Sequence, residues 1–553
     1  MYEYLSLVES VRDGAKVGHR TLLRLGEVTA LRESGQLERI VAALESHLRK
    51  ERVDVGALAA EGAPAAGAVA AVAALWQRLG LDGHFAGVGS GRGSAVGDAV
   101  FAMAANRLVA PCSKRRLTEW ARCDVVMPEW WSAPSLNQYY RALDAVAGAK
   151  DATEQHLYSR LCDLSNLDLK LVCYDLTSTY FEAPAQPSGR FPSRAFGYSR
   201  DHRGDRPQIV IGLLCSADGI PIAHHVFAGN TSDASTLPAV LADLAARFAV
   251  GRICVVADRG LISSDNVEAV AAAGFDHVLA TRLRRDHTAK EALEAIGDDT
   301  AWTEMPQHRC RAADMALTDG TRAIVVESGA RARRDDARRG GIVAAAEAEL
   351  LALERRVRSG RLKDPAKIGR AAQRILGASG AGRLFDLDIG EGRFLYHYND
   401  HALQYEQLLA GRYVLTTNLT PAQASTARIV TAYRQLAAVE ARFRVLKDFL
   451  HLRPVRHWTE KRVRGHIAIC VYAAVIETLI NHDLAKADIR DPDLADQHLT
   501  ANRALRELNR IRLHHLDANG RRIALTTRRT PLQARTLTAI GADTRNWDKA
   551  DIT

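Results

Sequence analysis

Two short apolar runs in this chain end in aspartate, and a buried strand that ends in a carboxylate restricts the available folds sharply. Residues Leu167 to Asp175 (Leu-Asp-Leu-Lys-Leu-Val-Cys-Tyr-Asp) alternate and then run apolar, the pattern of a strand inside a sheet. A carboxylate there is costly unless it is paired or binds a cation. The strand continues as Leu-Thr-Ser-Thr-Tyr-Phe-Glu182, and a side-chain period of 2 puts Asp175, Thr177 and Thr179 on one face. The second run, Arg252-Ile-Cys-Val-Val-Ala-Asp258-Arg-Gly260, leads into a helix start at Ser263-Ser264-Asp265. Apolar strand, acid, glycine turn and helix is the arrangement by which open α/β sheets present groups at the carboxyl ends of their strands. Taken singly, each aspartate is equally well read as a turn residue.

A third acid lies far downstream. From Tyr433 to Leu450 the pattern predicts one amphipathic helix, with Leu436, Val439, Phe443, Leu446 and Leu450 as its apolar stripe. Tyr433, Glu440 and Lys447 are spaced by seven, which returns to within about 20° of the start and climbs about 10 Å, so they form a separate row beside the stripe. An acid between a phenol and an amine suits a metal ligand next to a phosphate backbone; an ordinary solvated face with a Glu440–Arg444 pair is the alternative.

The sets Tyr174-Asp175-Leu-Thr-Ser-Thr-Tyr-Phe-Glu182, Gly229-Asn-Thr-Ser-Asp233, Val256-Ala-Asp258-Arg-Gly260 and Tyr433-(six)-Glu440-(six)-Lys447 resemble the catalytic core of bacterial insertion-sequence transposases of the DDE, ribonuclease H-like class, in the subgroup with a long insertion before the last acid. Gly197-Tyr-Ser-Arg-Asp-His-Arg203, Pro207-Gln208 and the opening stretch from Val8 to Gly26 resemble the same subgroup, so the likeness spans most of the chain. The helix motif usually carries an arginine four residues before the glutamate, where this chain has Leu436; Arg434 or Arg444 would then substitute. The resemblance implies an α/β fold, a ribonuclease H-like mixed sheet with flanking helices interrupted by an inserted subdomain, with N-terminal and C-terminal accessory regions. It implies an enzyme that binds the inverted-repeat ends of an element, cleaves them and joins the 3′ hydroxyl ends to target DNA, acting on double-stranded DNA as a homodimer in the complex. A nuclease of the same fold without strand transfer, or an inactive DNA-binding derivative, are the alternatives.

The chemistry follows from charge. Attack on a phosphodiester places negative charge on the phosphoryl and leaving oxygens, which two hard cations about 4 Å apart can offset. Carboxylates are the ligands such ions prefer, so Asp175 is expected to bind both, Asp258 one and Glu440 the other, with Mg²⁺ as the ion and Mn²⁺ able to replace it. Tyr433, Arg434, Arg444 and Lys447 are the expected DNA contacts. His202, His224, His225 and His466 have no metal spacing and read as structural or surface residues.

At 553 residues, 47% hydrophobic and 25% charged, the chain has ample core material for several domains, and a net charge of +9 suits a polyanionic partner. The N-terminus lacks a signal-peptide pattern and no run reaches membrane-span length, so a cytoplasmic protein with no membrane partner is expected. The 8 cysteines form no C-x-x-C pair, and Cys173, Cys215 and Cys254 lie in apolar strands, which points to buried thiols rather than zinc or disulfides.

The texture of the chain divides it into residues 1–165, an N-terminal DNA-end-binding region; 166–283, the first part of the catalytic core; 284–410, an arginine-rich inserted subdomain; 411–485, the second part of the core; and 486–553, a basic C-terminal region. Within these, a hairpin is expected over Tyr2 to Leu25 and a strand pair near Met315 to Val326. Asp233 or Ser232 is expected to cap a helix to Ala249. Val53 to Ala74 reads as a hinge or an under-specified helix, Gly87 to Gly93 as a flexible loop, and Leu117 to Val146 as a candidate helix-turn-helix.

Overall fold

The computed structural model describes residues 3–13, 16–48, 58–88, 93–165, 171–182, 191–248, 253–261, 264–494, 496–518, 521–542, 544 and 551–552. Two compact units result. The smaller comprises residues 1–63, 513–527 and 545–553. In it Tyr4–Asp13 pairs antiparallel with Lys16–Glu27, followed by helices Val28–Glu33 and Gln36–Leu48. A separate four-stranded sheet joins Leu58–Gly62 to the hairpin Leu513–Ala518/Arg521–Thr526 and to Asp551–Ile552, so residues from both ends of the chain share one sheet.

The larger unit, residues 64–512 and 528–544, is built on a nine-stranded sheet. Its strands in chain order are β1 (Leu171–Tyr180), β2 (Gln208–Ser216), β3 (Pro221–Ala228), β4 (Cys254–Ala257), β5 (Asp276–Ala280), β6 (Trp302–Met305), β7 (Cys310–Ala316), β8 (Arg322–Glu327) and β9 (Arg412–Thr417). Across the sheet they lie in the order β3-β2-β1-β4-β5-β9-β8-β7-β6. The first three are antiparallel neighbours, β1, β4 and β5 run parallel, and β9 returns antiparallel against β5. This is the mixed, ribonuclease H-like sheet. On one face Val172, Tyr174 and Leu176 of β1 join Leu237, Val240, Leu241 and Leu244 of the helix Leu237–Arg247 and Val270 of the helix Ser264–Ala272 in a single apolar core. The alternation of β1 puts Asp175 on the other face, where the helix Leu436–Arg444 packs on β1 and β2. The β2–β3 turn closes through Gly219 at φ +75°, and a Cβ there would meet the Ala438 methyl at 3.0 Å, so glycine serves both the turn and the approach of this helix.

The segment expected as a separate insertion divides in two. Strands β6, β7 and β8 extend the main sheet beyond β9, whereas the 30-residue helix Gly329–Arg358, the helix Pro365–Ser379 and the hairpin Phe385–Gly390/Arg393–Tyr398 enclose a core of their own around Leu350, Leu353, Ile368 and Phe394. Some of the arginines of residues 284–410 are ion-paired, Arg331 with Asp335 and both Arg284 and Arg383 with Glu406.

The remaining helices form a body in which Glu460–Lys486 is central. Contrary to the expectation from sequence, this helix is long and apolar enough to span a membrane, yet 94% of its apolar window is buried, as in the core helix of a globular body. Of the two alternatives for the alanine-rich stretch Val53 to Ala74, the helix is what forms over its last residues, as part of Gly67–Arg78, and it is close-packed: a Cβ on Gly67 would meet the Leu508 carbonyl at 2.5 Å, so small residues are what let the backbones approach. Residues 53–57 of that stretch, 89–92 of the glycine-rich loop, and 167–170 and 249 of the expected strand and helix lie outside the described residues. No helix-turn-helix forms over Leu117 to Val146: the helix Lys114–Glu119 runs into a π-turn at Trp120–Asp124, an extended stretch follows, and Leu136–Gly148 comes only after it, with Trp120 buried.

Candidate active site

The parallel pairing of β1 with β4 sets Tyr174 opposite Ala257, so the next residues, Asp175 and Asp258, emerge side by side at the carboxyl ends of adjacent central strands. Glu440 comes from the helix packed on that face and is exposed. The expected single helix over Tyr433 to Leu450 is in fact three pieces: Thr426–Arg434, a turn at Gln435, Leu436–Arg444, and a π-helical turn at Val445–Phe449. The apolar stripe survives the breaks, since Leu436, Val439, Phe443, Leu446 and Leu450 are all buried.

The three acids feel one another. The Asp175 carboxyl is pushed up to about 7, first by burial and then by the negative charges of Asp258 and Glu440; the Leu176 N–H, donating to Asp175 Oδ1 at 2.7 Å, and the Arg200 guanidinium pull the other way. Tyr433 donates its hydroxyl to Asp258 Oδ1 at 3.2 Å, and burial together with that carboxylate holds the phenol well above its usual range. Among the described residues no three Asp, Glu, His or Cys side chains converge on a point where one ion would sit. The donors nevertheless suit a hard divalent cation: they are carboxylate oxygens, and the second oxygens of Asp175 and Asp258 carry no hydrogen bond among the described residues.

The sequence-derived contacts scatter around this cluster. Lys447 donates to Asp201 Oδ1 at 2.8 Å, and Arg453 pairs with the same oxygen. Arg444 is exposed, while Arg434 lies against Tyr413, with its Nε buried and unpartnered. Leu436, at the position where the resemblance calls for arginine, is 5% exposed and faces the core.

Sequence reasoning missed the guanidinium nearest the acids. Arg200 donates to both oxygens of Asp233 at 2.6 Å, and its backbone N–H donates to Ser178 Oγ of β1 at 3.0 Å. Asp233 therefore does not cap its helix, which opens with a 3₁₀ turn at Ala234–Thr236 and receives no side-chain cap; Ser232 instead bonds the Ser235 hydroxyl. Gly260, just past Asp258, lies against the Asp233 carboxylate, where a Cβ would meet Oδ2 at 3.2 Å. The run Gly197 to Arg203 carried the only signal for Arg200 and Asp201. Arg331 stacks on Tyr413, which in turn packs on Tyr433, so the first turn of the long helix reaches the edge of the site. Of the histidines, His224 is buried against Glu154 (2.7 Å), His225 meets Asp243 (3.1 Å), His466 is buried and His202 is exposed. All 8 cysteines are free thiols.

A mixed sheet with two aspartates side by side at the ends of adjacent central strands, and a glutamate on a helix packed against one of those strands, is an arrangement suited to metal-dependent phosphoryl transfer. Residues 171–476 match the transposase DDE domain, more than half of the chain, and residues 1–55 match the IS1634 family transposase N-terminal domain. The chain belongs to the DDE transposase family, and it is an insertion-sequence transposase, a DNA-cleaving and strand-transferring enzyme whose partner is DNA and whose family uses a divalent metal. No curated protein matches it. Among solved structures it is similar to piggyBac transposase in a synaptic complex with hairpin DNA, at 10% identity and a TM-score of 0.34 over 75% of this chain and 70% of that one, too loose a likeness to bear on the site.

Proposed function

We propose that Asp175, Asp258 and Glu440 are the catalytic carboxylates of this transposase and hold Mg²⁺, with Mn²⁺ able to replace it. The observation that carries this reading is the parallel register that sets Asp175 and Asp258 side by side at adjacent strand ends, with the helix of Glu440 packed against the strand of Asp175; burial and the other two acids raise the Asp175 carboxyl. Such a cluster costs free energy until a cation joins it. When bound, a divalent ion supplies charge neutralisation, a more acidic water and stabilisation of the departing oxygen. Asp175 and Asp258, fixed by strand register, and Glu440, on the helix packed against the strand of Asp175, are the residues that would hold the divalent metal. Tyr433 exchanges Asp258 for the DNA backbone, while Arg434, Arg444 and Lys447 meet phosphates nearby. The enzyme acts in the cytoplasm on the inverted-repeat ends of its element, joins the freed 3′ hydroxyls to target DNA, and works as a homodimer. The N-terminal hairpin, with Leu7, Leu22 and Leu23 at least half exposed, is our candidate for the surface that pairs or reads ends, together with the C-terminal hairpin of the same unit.

The test is end cleavage and strand transfer with purified protein. Asp258→Asn and Glu440→Gln are each expected to abolish Mg²⁺-dependent cleavage and transfer of pre-cleaved ends while leaving end binding within about threefold. Cleavage retained in either variant removes that residue from the site.

A further inference from the structure

Between the end of the helix Gly93–Val109, the start of the helix Lys114–Glu119 and the 451–459 loop lies a cavity of about 540 Å³. Arg107, Lys114, Arg453, Arg456 and Arg462 line it, and no aspartate or glutamate does among the described residues. Two of these cations have carboxylates elsewhere: Arg453 with Asp201 and Asp448, and Arg462 with Asp144. Arg107 donates to the carbonyls of Cys112 (2.7 Å), His451 (3.1 Å) and Leu450 (3.3 Å), which ties the two walls together but neutralises nothing.

Lys114 is the anomaly. It is 6% exposed, and among the described residues its ammonium has neither an ion pair nor a hydrogen bond. Burial, then Arg107, brings its pKa down to about 7, and the same positive field and burial keep His457 and His466 neutral; the Nδ1 of His466 is buried without a partner. A buried ammonium is retained at such a cost where an anion completes it. Arg453, which lines the cavity, shares the Asp201 carboxylate with Lys447, one of the residues read as a DNA contact. Trp458, 67% exposed, stands beside its mouth next to the exposed Arg456.

We propose that this cavity is a phosphate subsite, in which Lys114 receives a backbone phosphate of the DNA strand that passes the three acids, Arg107 holds the walls and Arg456 guards the mouth. The assignment rests on the transposase reading for the source of the phosphate. The site is wide enough for a phosphodiester with part of its sugar or bridging water.

Full-length wild type, Lys114→Met and Arg456→Gln are compared in two assays: thermal melting with inorganic phosphate against chloride at matched ionic strength, and duplex binding by fluorescence anisotropy across salt concentrations. Wild type is expected to melt higher in phosphate. Lys114→Met is expected to melt no lower than wild type in chloride, to lose the phosphate shift, to bind duplex roughly tenfold or more weakly, and to reduce the slope of log affinity against log salt by about 1. If Lys114→Met melts well below wild type, Arg456→Gln carries the same comparison. A phosphate shift that persists in both variants, or duplex binding with the wild-type slope in both, overturns the proposal; the second result with the shift abolished would make this a site for free phosphate. Wild type that binds no duplex while Lys114 still governs the phosphate shift would instead sink the DNA reading and leave the anion pocket standing.

Discussion

Replacing Asp175 by asparagine tests the electrostatics of the acid cluster without any catalysis. With the carboxyl raised from 3.8 to about 7, ionising Asp175 in the folded protein is unfavourable. Each pH step between those values is worth about 1.4 kcal/mol, so the full penalty is about 4 kcal/mol. The sign follows from proton counts. Between pH 3.8 and 7 the folded state binds more protons at this group than the unfolded state, so stability falls as pH rises through that window and stays low above it. An asparagine side chain cannot ionise, and its amide oxygen can still accept from the Leu176 N–H. In metal-free, DNA-free urea denaturation, Asp175→Asn is therefore expected to exceed wild type by about 4 kcal/mol at pH 8 and by about 2 kcal/mol at pH 5. Millimolar MgCl₂ at pH 8 should recover part of the deficit in wild type and add little to the variant. A variant no more stable than wild type at pH 8, or an advantage that does not shrink towards pH 5, would refute the claim that Asp175 is an electrostatically strained acid.

The other predictions concern how this site is held when no DNA is present. Tyr433→Phe removes the donor to Asp258 Oδ1 and should cost about 1.5–3 kcal/mol in metal-free buffer, with a smaller loss in MgCl₂; equal losses would mean that Tyr433 and the cation do not exchange on that carboxylate. Asp201→Asn leaves Lys447 and Arg453 without their shared acid in a poorly exposed place and should cost about 3–5 kcal/mol in urea unfolding. Adding Lys447→Met should recover at least about 1 kcal/mol of that loss, and strict additivity would show that the lysine is held by something else.

The strands that carry Asp175 and Asp258 were legible because each is a short run of β-branched and apolar residues with an abrupt polar end, a pattern set by the strand's own burial. That the two ends lie side by side was not legible, because parallel pairing is decided by the crossover helix Leu237–Arg247 and its core rather than by either strand. The same limit hid the joining of β8 to β9 across the helical insertion: an apolar strand announces that it needs partners without naming them. The apolar stripe from Leu436 to Leu450 was correct, but nothing local at Gln435 breaks the helix; no glycine or proline stands there, so the turn reflects the surfaces on which each piece packs.

Asp233 shows the same limit at the level of one side chain. A Ser-Asp pair ahead of an apolar helix is an ordinary cap signal, and it was overridden by Arg200, 33 residues away, which offers a charged bidentate partner where a backbone N–H offers a single bond. The consequence reaches the chemistry. Arg200 is anchored through Ser178 to the strand of Asp175, and the Asp233 carboxylate it holds lies against Gly260 in the turn after Asp258, so one guanidinium stands between the segments that carry two of the acids. It also lowers the cost of ionising Asp175, which puts its charge where a cation would otherwise be needed. In the metal-free protein, Arg200, Tyr433 and the Leu176 amide share the work of holding carboxylates that repel one another. Divalent ions binding at those acids would then compete with partners already in place rather than fill an unstructured gap.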